Sequence, residues 1–381
     1  MNRTIYRNAC LTLAALLIAL PVQGQPAGGV ATSVVFGQSA PLSGPNAELG
    51  NDIRNGALAY FNKLNDAGGV HGRRLELVSL DDANQVARAE ANTRKLVEEQ
   101  GVFALFGYAS ATLSRPALPI VDQHRVPFLS PFTGADPMRL FNRYVYNMRA
   151  SYADELEKIV EHYSTFGIKR FAVVHYDDVV GRENLSAVER ALKKRGLAPA
   201  AVAGFKDRAK PEIEEGVKTL MKTGPEVVIF TTLYKATSDF IKHSQKAGFD
   251  AQMVSNSFPG SSPLAKELGK QGAGVAIAQV VPPPTKRSVP VVQEYQAAIE
   301  KQLGRKEYSF TSLEAFIGAK VAAEALKRAG PRPTRQAFMQ ALDGMKSFDT
   351  GGYVVSFSPS DHNGSAYVEL TVIGRDLQFS Y

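Results

Sequence analysis

Arg170-Phe171-Ala172-Val173-Val174-His175 and Glu226-Val227-Val228-Ile229-Phe230-Thr231 are the stretches that decide the fold. Each is a short apolar run without alternation, which predicts a strand buried on both faces. Helical spacing over 183–195 and 212–222 separates them, and Gly196 stops the first of these helices. A further helix, 236–247, closes at Gly248 and leads to a strand at 252–255. Short apolar strands alternating with helices of this length predict a parallel sheet covered on both faces.

The same rhythm precedes this block. Strands are expected at 33–39, 75–80, 102–106 and 127–130, with helices at 52–65, 86–99 and 113–124. In the first helix Ile53, Ala57, Tyr60, Phe61 and Leu64 share one face, and Gly68-Gly69 ends it. After residue 149 the series restarts with a helix at 154–166. Two series predict an α/β chain of two doubly wound lobes.

Beyond Pro282-Pro283-Pro284 the rhythm breaks. Helices at 289–303, 312–328 and 334–342 follow in near succession. Strands at 353–357 and 366–373 come next, joined by a turn containing Asn363-Gly364. A helical block without strands of its own must cover another sheet. The chain is therefore expected to return to the first lobe. The lobes read as 30–148 plus 282–352, and 149–281 plus 353–381.

Arg3 and Arg7 precede an apolar run from Ala9 to Leu20, then Pro21 and Gly24. This is the layout of a secretory signal peptide, residues 1–24, and is expected to place the remainder outside the cytoplasm. The run is too short to span a bilayer. The chain's single cysteine, Cys10, lies inside that segment, which excludes disulfides, thiolate nucleophiles and cysteine metal sites from the rest. About 357 residues remain, enough for two domains. The two arginines account for part of the formal charge of +7, and the mildly basic remainder reads as solvated surface or as steering of an anion. No basic cluster interleaves with aromatics, so nucleic acid is not an expected partner.

There is no G-x-S-x-G, H-E-x-x-H or G-x-x-x-x-G-K-[ST] motif. The histidines His71, His124, His162, His175, His243 and His362 show no metal-ligand spacing. No catalytic residue, metal or cofactor is expected. Asp81-Asp82 and Asp177-Asp178 follow strands, where carboxylates cap helices or tie turns more often than they act as acid and base. Two small polar segments follow strands: Gly107-Tyr108-Ala109-Ser110-Ala111-Thr112 and Ser130-Pro131-Phe132-Thr133-Gly134-Ala135. In open α/β sheets ligands bind beyond the carboxyl ends of strands. The hydroxyls of Ser110 and Thr112 suit a carboxylate, and equally suit helix capping.

With these segments in view, the chain resembles the Leu/Ile/Val-binding-protein family of type I periplasmic binding proteins, from about Val34 to Ile373. The resemblance rests on Pro41-Leu42-Ser43-Gly44-Pro45 before Gly50, and on Gly56-Ala57. It rests also on Ala67-Gly68-Gly69-Val70-His71-Gly72, Leu80-Asp81-Asp82 and Ser312-Leu313-Glu314-Ala315. It implies two lobes joined by three hinge crossings, with a small carboxylate or amino-acid-like ligand in the cleft. It also implies a monomer that serves the membrane permease of an ABC transporter. A ligand sensor partnering a membrane receptor is the alternative. Carried over by position, Tyr108, Ala109, Ser110, Ala111, Thr112, Phe132, Thr133 and Gly134 hold the ligand from the first lobe. Val180, Tyr234 and Ser257 hold it from the second. Val180 and Leu49 stand where other members have aromatics. Ser255-Asn256-Ser257-Phe258 lacks the acid that would hold an ammonium, which favours carboxylates without an α-amino group.

Overall fold

The computed structural model describes residues 32–44, 46–208 and 210–381. The expected signal peptide lies outside the described residues. The first series gives β1 (Ser33–Ala40), α1 (Ala47–Asp66), β2 (Arg74–Asp81), α2 (Val86–Arg94) and β3 (Ala104–Phe106). It continues with α3 (Ser110–Ser114), α4 (Leu118–His124), β4 (Phe128–Leu129) and β5 (Val145–Tyr146). The strands form one parallel sheet in the order β2-β1-β3-β4-β5. The single helix expected at 113–124 is instead broken by a 3-10 turn, Arg115–Ala117. Pro116 and Pro119 each remove an N–H from the ladder there.

The second series gives α5 (Tyr152–Thr165), β6 (Phe171–Tyr176), α6 (Val179–Lys193), β7 (Ala201–Phe205) and α7 (Ile213–Met221). It continues with β8 (Val227–Phe230), α8 (Tyr234–Lys246), β9 (Gln252–Ser255), α9 (Ser261–Leu268) and β10 (Ala276–Gln279). The apolar runs of both opening stretches form strands, β6 and β8, that are buried along their whole length, while Arg170 and Glu226 lie just outside them. A Ser151–Asp154 capping box starts α5, each side chain accepting from the other's backbone N–H.

Then come α10 (Pro290–Leu303), α11 (Phe310–Ala329) and α12 (Arg335–Asp343). They cover the first sheet: Tyr295, Phe316 and Phe338 share a core with Phe36, Phe61 and Phe106. Helices α1 and α11 meet at backbone distance. A Cβ added at Gly56 would fall 2.0 Å from the Ser312 carbonyl oxygen, so only glycine fits.

The two late strands differ from expectation. β12 (Val354–Val355) pairs antiparallel with β11 (Phe348–Asp349), while β13 (Glu369–Ile373) joins the second sheet antiparallel to β10. They are not partners across the Asn363-Gly364 turn. Tyr353, Val355 and Phe357 pack in the first sheet's core, so the chain leaves that lobe later than residue 353. With β14 (Phe379–Ser380), the second sheet reads β14-β13-β10-β9-β8-β6-β7. The chain thus passes between the sheets three times, at 147–151, 280–289 and 356–368. The first and third passes are laced together: Asn147 N donates to His362 O, and Gly364 N to Asn147 O, both at 2.8 Å.

Candidate functional site

The strand order reverses between β1 and β3 in the first sheet and between β6 and β8 in the second. Crevices for ligands form at the carboxyl ends beside such reversals. In the first lobe the two polar segments lie side by side there. Ala109 bridges to Phe132, Ser110 N donates to Phe132 O at 3.1 Å, and Phe132 N to Tyr108 O at 2.8 Å. Ser110 and Ser130 have φ of 64° and 53°. For residues with a Cβ this conformation costs about 1–2 kcal/mol, and such strain clusters at ligand clamps.

Ser110 is half-buried, and its hydroxyl accepts a long bond, 3.4 Å, from Leu113 N. This is weak capping that leaves the hydroxyl proton free to donate. Thr112 is exposed. Thr133 is buried, and its hydroxyl accepts from Ala135 N at 3.2 Å. Gly134 O accepts from Tyr152 N, and an added Cβ at Gly134 would meet the Tyr152 ring. Ala109 and Phe132 form an apolar wall with Ile53 and Leu113, against which Leu49 packs.

Tyr108 departs from the sequence reading. It is fully buried, its hydroxyl lies 3.0 Å from Thr93 Oγ1, and its ring meets Phe128 edge-on. Its side chain belongs to the core beneath the loop with Leu105 and Phe128, because the left-handed turn at Gly107, φ 68°, breaks the strand alternation that would have put it on the face of Phe106.

From the second lobe, Val180 opens α6, Tyr234 opens α8, and Ser257 follows β9. All three are half-buried. Val180 and Phe258 pack against a cluster that contains Ala111, Ala135, Met138 and Tyr152. The loops of the two sheets therefore converge, and Lys266 of α9 adds an ion pair to Glu48 of α1 at 2.5 Å. Beside that pair is a cavity of about 160 Å³ lined by Asp52, Glu307 and Ser309, where burial pushes the Asp52 carboxyl up to about 6. The aspartates after strands serve the backbone, as anticipated. Asp178 caps α6 through Gly181 N and pairs with Arg208, and Asp81 ties Leu42, Ser43 and Ala83.

The sequence reading missed three buried ionisable groups. Ser257 N and Oγ donate to Glu155 Oε2 and Oε1 at 2.6 and 2.8 Å. Arg149 Nη2 donates to Ser257 Oγ at 2.8 Å. Arg149 Nε lies 3.4 Å from Glu314 Oε1, close enough for ion pairing, but the angle makes no hydrogen bond. Thus an acid does stand at Ser257, supplied by α5 rather than by the 255–258 loop. Burial pushes the Glu155 carboxyl up to about 7, against the opposing pull of Arg149 and the Ser257 donors. Burial likewise raises Glu314, with Arg149 opposing. For Arg149, burial works against the charge, but Glu314, Tyr152 and Glu155 outweigh it and hold the guanidinium above its ordinary value. The available signal was positional. Glu155 falls on the stripe with Leu156, Ile159 and Val160, and Glu314 lies in a buried run of α11.

Residues 33–376 match the periplasmic binding protein family. The chain belongs to the periplasmic binding protein family. An amino acid binding protein of Pseudomonas aeruginosa is 25% identical over 329 residues, covering 84% of this chain and 85% of its own. A solved structure described as a possible leucine/isoleucine/valine-binding protein from Rhodopirellula baltica superposes with a TM-score of 0.85. It is 29% identical and covers 93% of this chain and 98% of its own. A substrate-binding periplasmic protein from Ralstonia solanacearum gives a TM-score of 0.83 at 30% identity, covering 91% and 99%. As a periplasmic binding protein the molecule is a solute-binding protein and not an enzyme.

Proposed function

We propose that this protein captures a small amino-acid-like carboxylate outside the cytoplasmic membrane, by closure of its lobes, and presents it to the permease of an ABC transporter. The convergence of loops from both sheets carries this reading, with Val180 and Phe258 packed against first-lobe residues. A ligand that touches both sides stabilises the closed form by its differential contacts. Ser110, with a free donor beside strained backbone, is the proposed carboxylate contact. Ala109, Phe132 and Leu49 supply apolar surface. Glu155 weakens the objection to a ligand amine, because a carboxyl polarises the Ser257 hydroxyl and leaves its oxygen able to accept from an ammonium. The relatives named above, an amino acid binding protein and a leucine/isoleucine/valine-binding protein, point the same way. Removal of residues 1–24 on export is part of this reading.

A thermal-shift screen followed by calorimetry tests it, with aliphatic and aromatic α-amino acids set against the same acids lacking the amine. An α-amino acid is expected to bind at micromolar affinity or better, about 8 kcal/mol. Stronger binding of the deaminated acids would remove the amine from the reading. Silence from both classes would sink it.

A further inference from the structure

The buried ionisable groups lie where the lobes are joined. Arg149 belongs to the first pass between sheets, Glu155 to α5 of the second lobe, Ser257 to the loop after β9, and Glu314 to α11 over the first sheet. Arg149, Glu155 and Glu314 are 7%, 0% and 6% exposed. We propose that this cluster is a proton-linked hinge. Arg149 positions Ser257 and its loop against α11, and the arrangement in which the lobes meet retains one proton on the Glu155–Glu314 pair. The inference rests on the two-lobed capture reading above.

The case is one of charge and place. Two carboxyls share one guanidinium in a site closed to water, so full ionisation leaves an uncompensated buried negative charge. The surroundings do not cancel it. Tyr152 and Tyr353 face Arg149 as neutral phenols, each pushed toward the neutral form by burial. A second cation, Arg139, donates to Arg149 O at 2.8 Å but faces Asp154, Asp136 and Asp361. A proton is the smallest cation that restores balance, and the raised Glu155 and Glu314 carboxyls agree with that.

Because Glu314 and Ser257 belong to different lobes, turning one lobe against the other separates Glu314 from Arg149 and admits water. Hydration favours the ionised carboxylate, so the open form releases the proton more readily than the closed form. By reciprocity, protonation favours closure and rising pH favours opening.

The test needs no ligand. With Cys10→Ser, Glu99→Cys and Lys246→Cys place spin labels on exposed helix ends of opposite lobes, and electron–electron resonance reads their separation. Between about pH 5.5 and about 8.5 the wild-type distribution should move to longer distance, with its midpoint near neutrality. Glu155→Gln should remain at the acid-side distance throughout, and Glu314→Gln should flatten the profile in the same way if the first variant does not fold. Arg149→Lys keeps the charge without the fork and should broaden the distribution at every pH while retaining part of the pH response. A wild-type distribution that does not change with pH overturns the proposal, as does an unchanged response in the glutamine variants. Failure of the ligand screen would leave this measurement untouched, so the two readings fall separately.

Discussion

Glu155 illustrates how much a single side chain can carry. Its carboxyl rises from an ordinary 4.5 to about 7 in the folded protein. The unfolded chain therefore releases that proton first as pH increases. The contribution to stability is complete below about 4.5 and is lost as pH climbs through about 7, on the order of 3 kcal/mol at full shift. Wild-type melting temperature is expected to fall by a few degrees across that window, and Glu155→Gln should flatten the fall while keeping the shape of the side chain. Calorimetric melts in steps of pH measure this, and equal slopes for the two proteins would contradict it. At this scale the sequence is least informative. Ser110 was legible as a polar residue beyond a strand, and Ser257 only through the family resemblance. The partner of Ser257 was not, because Glu155 is a hundred positions away in the chain and only the packing of α5 brings it near. Tyr108 reads like its neighbours in the same loop, and only the turn of the backbone assigns it to the core.

At the scale of elements, the contact between α1 and α11 is fixed by a glycine. An added methyl group at Gly56 would lie 2.0 Å from the Ser312 carbonyl oxygen, which cannot rotate aside. The gain in helix propensity for Gly56→Ala, about 1 kcal/mol, cannot offset forcing two helices apart. A net loss of roughly 3 kcal/mol is expected in chemical denaturation. A neutral result would mean that the helices separate freely. Continuous apolar strands such as β6 and β8 were plain in the sequence because burial on both faces removes all alternation. β5, with two residues, offers no period to read, and edge strand β7 carries Gly204 and partly exposed alanine and valine. The late strands were misassigned because an Asn-Gly turn specifies a reversal, not the identity of the pairing strands.

For the whole molecule, three short passes join the two lobes, the ion pair between Lys266 and Glu48 links them at the rim, and the proposed capture mechanism requires them to turn about those passes. Small-angle scattering should show a smaller radius of gyration when a tight α-amino acid is added near neutral pH. An unchanged radius with saturating ligand would rule out closure as the capture step. The return of the chain to its first lobe was legible because three helices in succession had no strands of their own to cover.

That return bears on how the chain is synthesised. The face of α1 is completed by α11, more than 240 residues later, and the first lobe's core extends as far as Phe357. No contiguous stretch of the gene encodes that lobe. A chain emerging N-terminus first can finish the second lobe's parallel strands while the first still lacks its covering layer. Closing so long a loop carries an entropy cost that nearer contacts avoid. The lobe that is made first is therefore the one that must wait, its apolar face unburied until almost the last residues have been delivered.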